Sequence, residues 1–136
     1  MNIIVCLDDK NGMLFNNRRQ SSDRLLRERI FEITAGKRLW MNGYSAKQFE
    51  DYASGFVADE YFLQKAQKGD FCFVENSDIN SFMSKIEKII VYRWNKTYPS
   101  DRKFPAELLD DENKQPNCFE FAGHSHEKIT EEIYCL

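Results

Sequence analysis

The sequence predicts an α/β fold in which a mixed, mostly parallel sheet of about six strands carries helices on both faces. Three observations support this prediction. Short apolar runs bounded by turn residues alternate with segments of helical periodicity. The last two apolar runs are separated only by a short polar loop, which indicates a C-terminal antiparallel hairpin. With 136 residues, the chain has the length of a single domain, 1–136.

The predicted strands share a short apolar run with turn residues at its ends. They are residues 2–7, 37–41, 70–74, 88–94, 117–122 and 129–135. The polar segment at 8–20 is read as turns, and the polar run at 110–114 as part of a connection.

The predicted helices each begin at a residue that can cap them. Ser21 or Ser22 can cap the first helix, which carries Leu26 and Ile30 at helical spacing and stops at Gly36. A short second helix, capped by Ser45, runs to about residue 52. A third covers 58–68, and a fourth begins at the cap residue Asp78.

Composition excludes several classes of protein. Lys and Arg number 19 against 22 Asp and Glu, so the net charge of -3 offers no electrostatic reason to expect nucleic acid binding. No run of about 18 apolar residues predicts a membrane span. The N-terminus lacks the basic start and apolar stretch of a signal peptide. We therefore expect a cytoplasmic protein.

Cysteines and histidines carry little metal signal. Cys6, Cys72, Cys118 and Cys135 lack metal or redox spacing, and three of them lie in apolar runs, so we expect reduced and mostly buried thiols. On a strand, the histidines at 124 and 126 would share a face and could bind a metal, with Cys118 or a carboxylate as the third ligand. Asp8 and Asp9 together with this pair could also hold the metal of a hydrolase, but their spacing is not diagnostic. Neighbouring Gly and Ser favour a solvated loop instead, and no metal site is predicted.

The order of elements and the local motifs together resemble the dihydrofolate reductase family. The DDKNGM segment resembles the family's first loop, KIEKIIVYRW resembles the strand after its cofactor helix, and DRKFP at 101–105 matches its D-x-x-F-P motif. Residues 119–136 resemble its closing hairpin. The resemblance covers nearly the whole chain. It implies the family's fold and, for an intact member, NADPH-dependent reduction of a pterin.

The chain departs from the family in the part that would hold the cofactor. About five residues follow the second helix, too few for the two further strands that carry the family's adenosine contacts. The family's phosphate-binding Arg falls on Gly43, and its glycine pair is replaced by a segment that contains Glu75, which would oppose a pyrophosphate. Ser45, Asn76 and Ser77 are the remaining candidates for cofactor contacts.

The substrate half departs as well. The resemblance places the family's catalytic acid one helical turn before Phe31, at Leu26 or Arg27, and neither is acidic. Asp23 is the nearest acidic candidate for a catalytic role, with helix capping as the alternative. The hydroxyl partner of that acid aligns with Tyr92, which is the second catalytic candidate.

These departures favour a divergent dihydrofolate-reductase-like protein that has lost NADPH binding and the family's reductase activity. Such a protein would act as a small-ligand-binding or assembly domain without a cofactor. The alternative is an NADPH-dependent oxidoreductase that acts on a pterin or a related heterocycle.

A ligand pocket is expected where the family binds its substrate. The candidate lining residues are Arg18, Arg24, Arg27, Phe31 and Asp101. Several arginines would favour a small carboxylate or phosphate ligand such as a mononucleotide. The alternative is that these arginines lie on a solvated helix face.

Assembly is the other expected use of the fold. Without the two family strands, the strand at 37–41 would form a sheet edge that exposes Leu39 and Trp40. We therefore expect a homodimer through that edge or through Trp94. A monomer in which residues 52–57 cover the edge is the alternative, and no membrane or nucleic acid partner is expected.

Overall fold

Two sheets organise the chain in the computed structural model, which describes residues 1–52, 54–110 and 115–136. Within these residues the strands are β1 Asn2–Leu7, β2 Gly12–Phe15, β3 Arg18–Arg19, β4 Leu39–Met41, β5 Val57–Ala58, β6 Phe71–Phe73, β7 Lys88–Arg93, β8 Arg102–Lys103, β9 Asn117–Phe121 and β10 Ile129–Cys135. The main sheet has the order β5-β4-β6-β1-β7-β10-β9, and the small sheet has the order β3-β2-β8. Most of the polar run at 110–114 lies outside the described residues.

The main sheet confirms the predicted mixed architecture. β1 is parallel to both β6 and β7, and β4 is parallel to β6. β10 is antiparallel to β7 and to β9, which forms the C-terminal hairpin. The described strands of this sheet number seven rather than about six, because Val57–Ala58 adds a short parallel strand beside β4.

The centre of the sheet is buried on both faces. Ile3 and Val5 of β1 lie in one apolar cluster, and Ile4 lies in a second cluster on the opposite face. This follows from the alternation of side chains along a strand. β1 therefore needs the continuous apolar run that its sequence provides.

Short helices cover both faces of the main sheet, as predicted. They are the α-helices α1 Arg24–Ile33, α2 Gly43–Ala46 and α3 Phe62–Lys65, and the 3₁₀ turns Lys47–Phe49, Asn80–Lys85 and Ala106–Leu108. α1 buries Leu26 and Ile30 in the cluster of Ile4, whereas α3 buries Phe62 and Leu63 in the opposite cluster. In the part of the chain that the structure describes, no helix combines the length and the apolar character that a membrane crossing requires.

The predicted exposed edge at 37–41 is wrong. β4 spans only Leu39–Met41, and it is bonded to β6 on one side and to β5 on the other. Leu39 and Trp40 are buried, and so is Trp94. The surfaces that motivated the homodimer expectation are therefore not available, because Val57–Ala58 covers the edge and packing covers the indole rings.

Two helix caps also differ from the prediction. Asp23, not Ser21 or Ser22, is the N-cap of α1, and its side chain accepts hydrogen bonds from the backbone amides of the first turn. Asn42, not Ser45, caps α2, because the Asn42 side chain accepts a hydrogen bond from the Ser45 amide at 3.0 Å. Ser45 lies inside the helix, so its hydroxyl is free to bind elsewhere.

The third and fourth helices are shorter than predicted. Residues 58–68 contain only the single turn α3, because Ala58 pairs with β4 and Ala66 leaves helical geometry. Asp78 accepts a hydrogen bond from the Asn80 amide at 2.8 Å, but the segment that follows is a 3₁₀ helix, Asn80–Lys85, and its N-cap residue is Ile79 rather than Asp78.

The small sheet occupies a segment that the sequence predicts only as turns. β2 and β3 form a hairpin whose two turn residues, Asn16 and Asn17, both have positive φ values of 51° and 60°. Asparagine tolerates this backbone region better than most residues, so the Asn-Asn pair fits a two-residue hairpin. The hairpin places Arg18 and Arg19 beside the ends of the main strands.

Candidate functional site

The polar residues that follow the central strands meet at one edge of the main sheet. Asp8 follows β1, Glu75 comes shortly after β6, and Trp94 follows β7. In open sheets of this kind, the carboxyl ends of adjacent parallel strands form the usual ligand-binding crevice. The candidate site is therefore built around these three positions.

Glu75 forms a buried ion pair at this edge. Arg19 of β3 donates from Nε to Glu75 Oε2 at 2.8 Å and from Nη2 to Glu75 Oε1 at 3.1 Å. Ser45 Oγ donates a third hydrogen bond to Glu75 Oε1 at 2.8 Å. Glu75 is only 8% exposed, so its charge is stabilised by these donors rather than by water.

Tyr44 completes the surroundings of Arg19. The Arg19 guanidinium lies over the Tyr44 ring, 4.5 Å from its centroid, and the Arg19 amide donates to Tyr44 Oη at 2.8 Å. Arg19 thus attaches the small sheet both to α2 and to the loop after β6. Both oxygens of Glu75 and much of the Arg19 guanidinium are occupied by protein partners.

Asp8 is held by its own loop. Its carboxylate accepts from the amides of Lys10 at 2.8 Å, Gly12 at 2.7 Å and Tyr98 at 3.1 Å. Burial by itself raises the pKa of Asp8, but these hydrogen bonds, with one from the Gln20 side chain, lower it below its ordinary value. Asp8 therefore orders its loop as an ionised carboxylate. Among the described residues, no group of three or more His, Cys, Asp or Glu side chains is placed to hold a metal ion.

Asp23 connects α1 to the loop between β9 and β10. In addition to its capping bonds, it accepts from the amides of His124 at 3.0 Å and Ser125 at 2.9 Å, and its Oδ2 lies 2.9 Å from His126 Nδ1. Burial raises the pKa of Asp23, but these donors outweigh burial and lower it well below its ordinary value. A Cβ at Gly123 would lie 2.6 Å from Asp23 Oδ2, so the approach needs glycine.

His126 differs most from the predicted solvated loop. Its side chain is buried rather than solvated, and its ring stacks on Trp94 with centroids 4.6 Å apart. Its second ring nitrogen, Nε2, lies 2.8 Å from Ser21 Oγ. His124, by contrast, is exposed, with Arg24 Nη2 at 3.4 Å from its Nδ1.

Tyr92 belongs to a separate network inside the sheet. Its hydroxyl donates to Glu131 Oε2 at 2.8 Å, and Arg29 of α1 donates to both oxygens of Glu131 at 2.9 and 3.0 Å. Burial and the charge of Glu131 raise the pKa of Tyr92 well above its ordinary value. The Tyr92 hydroxyl is therefore a neutral, protonated donor.

The chain is similar to a dihydrofolate reductase from Enterococcus faecalis, solved in complex with NADP(H) and RAB-propyl. The TM-score is 0.63, and the alignment covers 98% of this chain and 94% of that chain. The chain has a dihydrofolate-reductase-like fold. The sequence identity is 12%, so the likeness concerns the fold alone. No protein-family model and no curated protein matches the sequence.

The candidate cofactor residues of this dihydrofolate-reductase-like fold lie near one another. Ser45 binds Glu75, as described above, and Asn76 Oδ1 accepts from Asn42 Nδ2 at 2.7 Å. Ser77 lines a cavity of about 200 Å³ together with Arg102, which donates to the Asn76 carbonyl. Ser45 and Asn76 are thus already bonded to other residues of the chain.

The candidate pocket residues are not gathered into one cleft. Arg18 lines a surface cleft of about 580 Å³, and Asp101 accepts at 3.0 Å from the amide of Asn16, which lines the same cleft. The remaining lining residues are Phe15, Asn16, Arg19, Gln20, Tyr98 and Pro99. Arg24 and Arg27 do not line this cleft.

Phe31 lies on another part of the molecule. Its ring packs against Tyr52 at 4.9 Å and against Phe49 at 5.6 Å, in a T-shaped arrangement with the latter. Phe49 in turn contacts Phe56 and Phe73. Aromatic packing therefore fills the space between α1 and the segment after α2.

The prediction that the cysteine thiols are mostly buried holds for only part of the set. Cys72 is buried and Cys6 is half-buried, and burial raises the pKa of both thiols, to about 12 for Cys72. Cys118 and Cys135 are exposed: Cys118 lies on the edge strand β9, and Cys135 is the last residue of β10. All four are free thiols.

The sequence contained a usable signal for Glu131 but not for His126. In β10, Glu131 is two residues from Ile129, so both side chains lie on the face of the strand that is turned toward the core. A carboxylate buried there needs hydrogen-bond partners. His126 lies in a polar loop, and its partners Ser21 and Asp23 are 105 and 103 positions away in the sequence. Local sequence pattern therefore could not predict that its side chain is buried.

Proposed function

We propose that this domain binds a small anionic molecule and does not carry out NADPH-dependent reduction. The observation that carries the proposal is the ion pair between Arg19 of β3 and the buried Glu75 in the loop after β6. In the dihydrofolate reductase family, which the sequence resembles, glycines at this loop let backbone amides approach the cofactor's pyrophosphate. Here a carboxylate takes that position.

Electrostatics disfavours a dinucleotide at this loop. A phosphate placed beside Glu75 would face a negative charge in a poorly hydrated environment, where repulsion is stronger than in water. Arg19 could bind the phosphate only by leaving Glu75 without its partner, which is costly for a buried carboxylate. The residues present therefore do not fit a pyrophosphate.

Other contacts that would help a dinucleotide are also missing. At the position of the family's phosphate-binding arginine stands Gly43, whose amide donates to Glu60 at 3.0 Å. Each charge-assisted phosphate contact contributes about 1.5–3 kcal/mol. The loss of two or more would move a micromolar affinity to about millimolar or weaker, which corresponds to about 4 kcal/mol.

Features of the substrate region support the same proposal. Leu26 is buried in the core, and Arg27 is basic, so neither supplies the acid that protonates a pterin in the family. The rings of Phe31, Phe49 and Tyr52 pack together beside α1. A pterin would have to displace this packing.

The surface cleft around Arg18 has the composition of a site for a small anion. Arg18 and Arg19 supply positive charge, Asn16 and Gln20 supply hydrogen-bonding groups, and Tyr98 supplies an aromatic ring. Arg18 is exposed and Arg19 is already paired with Glu75, so Arg18 is the cation best able to bind a carboxylate or a phosphate.

NADPH is expected to bind no more tightly than about millimolar, because Glu75 opposes its pyrophosphate. Isothermal titration of the full chain with NADPH measures this directly, with an NADPH-binding dihydrofolate reductase as the positive control. A micromolar dissociation constant would overturn the proposal and favour the alternative, an NADPH-dependent oxidoreductase acting on a pterin or related heterocycle.

AMP, used as a probe for a small phosphate ligand, is expected to bind the wild-type chain and to lose affinity by about tenfold or more in the Arg18→Ala variant. Arg24→Ala is the matched control, since it removes the same charge from an exposed arginine outside the cleft. Equal affinities for the two variants, or no binding of AMP and inorganic phosphate to wild type, would count against the anion site.

A further inference from the structure

Three side chains from distant parts of the sequence form a continuous hydrogen-bonded chain. Ser21 Oγ lies 2.8 Å from His126 Nε2, and His126 Nδ1 lies 2.9 Å from Asp23 Oδ2. Ser21 and Asp23 precede and cap α1, and His126 lies in the loop between β9 and β10. A hydroxyl, an imidazole and a carboxylate in this order are the parts of an activated serine nucleophile.

The environment sets the proton positions that such a nucleophile needs. Asp23 is ionised and can only accept at Oδ2, so His126 carries its proton on Nδ1. His126 Nε2 is then an acceptor, and the Ser21 hydroxyl donates to it. Stacking on Trp94 and burial hold the imidazole ring in this orientation.

From this geometry we propose that Ser21 is an activated nucleophile that accepts a short acyl group from an ester. The proposal goes beyond anion binding and does not depend on it. His126 acts as the general base, and Asp23 orients His126 and stabilises its protonated form.

The size of the acyl group follows from the space beside Ser21. Ser21 is half-buried and lines a recess of about 10 Å³ together with Cys6, Met13, Val74 and Trp94. This volume holds about one water molecule or one methyl group. An acetyl ester is therefore the expected substrate class.

A neighbouring residue also offers a free acceptor. Gln20 lines the same recess and the larger surface cleft, and its Nε2 donates to Asp8 and to the Pro99 carbonyl. Its Oε1 is buried without a hydrogen-bond partner among the described residues. A buried acceptor of this kind is normally satisfied by a water or by a ligand group.

The chemistry balances with water as the only co-reactant. Ser21 Oγ bonds to the acyl carbon while its proton moves to His126 Nε2, and the departing alkoxide takes that proton as its bond to the acyl carbon breaks. Water then attacks the acyl-serine, giving its proton to His126 Nε2, and Ser21 Oγ leaves and recovers the proton. One ester and one water yield one carboxylic acid and one alcohol.

The test is site-specific acylation by p-nitrophenyl acetate, followed by mass spectrometry of peptides from the intact folded chain. We expect Ser21 to be acetylated much faster than its exposed neighbour Ser22. Removing the hydroxyl in Ser21→Ala should abolish this modification, and Ser22→Ala, the matched control, should leave it unchanged.

His126→Gln tests the general base while keeping the nucleophile. Ser21 acetylation is expected to slow by about 10² or more, which is the usual contribution of a general base. Circular dichroism reports whether that variant is folded. If the variant does not fold, the comparison of Ser21 with Ser22 in the wild-type chain still tests the proposal. Equal acetylation of the two serines would mean that Ser21, His126 and Asp23 serve only to attach the hairpin loop to α1.

Discussion

Replacement of Asp23 by alanine is expected to lower the free energy of unfolding by about 3–5 kcal/mol, because each buried donor that loses its acceptor costs about 1–3 kcal/mol. The side chain is fully buried and accepts hydrogen bonds from α1 and from the loop between β9 and β10. Its removal leaves several buried donors without acceptors. Urea denaturation at neutral pH measures the change.

Two further variants separate the contributions of Asp23. Asp51→Ala, which removes an exposed carboxylate, should change stability by about 0.5 kcal/mol or less. Asp23→Asn retains a good cap residue but removes the charge that faces His126, so its loss should be smaller than that of the alanine variant. If Asp23→Ala costs no more than Asp51→Ala, the capping network does not stabilise the fold.

The pH dependence of stability follows from the same carboxylate. The pKa of Asp23 in the folded state is lowered, so its stabilising contribution is present above its unfolded pKa of about 3.9 and is lost as the pH falls below that value. Asp23→Asn should therefore lose less stability than wild type between neutral pH and acid. Parallel curves for the two proteins would contradict this assignment.

Replacement of Glu131 by alanine is expected to destabilise the fold by a similar amount, about 3–5 kcal/mol. Glu131 is 3% exposed, and its loss leaves the buried Tyr92 hydroxyl and the Arg29 guanidinium without their acceptor. Thermal or urea unfolding provides the measurement, with Glu120→Ala as control. Glu120 is exposed on β9 and pairs with Lys128 only at 3.4 Å, so about 0.5 kcal/mol or less is expected.

A double-mutant cycle with Tyr92→Phe isolates one bond of this network. Tyr92→Phe alone should cost about 1–3 kcal/mol, because it leaves one oxygen of Glu131 short of a donor. In the Glu131→Ala background the same change should be nearly neutral. Additive effects would mean that Tyr92 and Glu131 do not interact.

Local sequence pattern was sufficient for the main sheet but not for its edge. β1, β7 and β10 carry apolar periodicities long enough to predict both their existence and their pairing. β5 has only two residues and an exposed surface, so no pattern marked it. Its presence removes the edge that the sequence analysis expected at β4.

The candidate site was predictable where a residue acts through its immediate neighbours. Glu75 could be placed because it follows a recognisable strand, and its effect on a phosphate depends on charge alone. Its pairing with Arg19 could not be foreseen, since that contact depends on a β2–β3 hairpin read only as turns. The same holds for Ser21 and His126, which meet only once α1 and the hairpin are both in place.

The bond between Asp23 and His126 joins residues 103 positions apart. Contacts of such long sequence separation form late, because much of the chain must be ordered before they compensate its lost conformational entropy. During synthesis, α1 therefore lacks these contacts until the loop between β9 and β10 has left the ribosome. Refolding of this chain should accordingly be slow for its length.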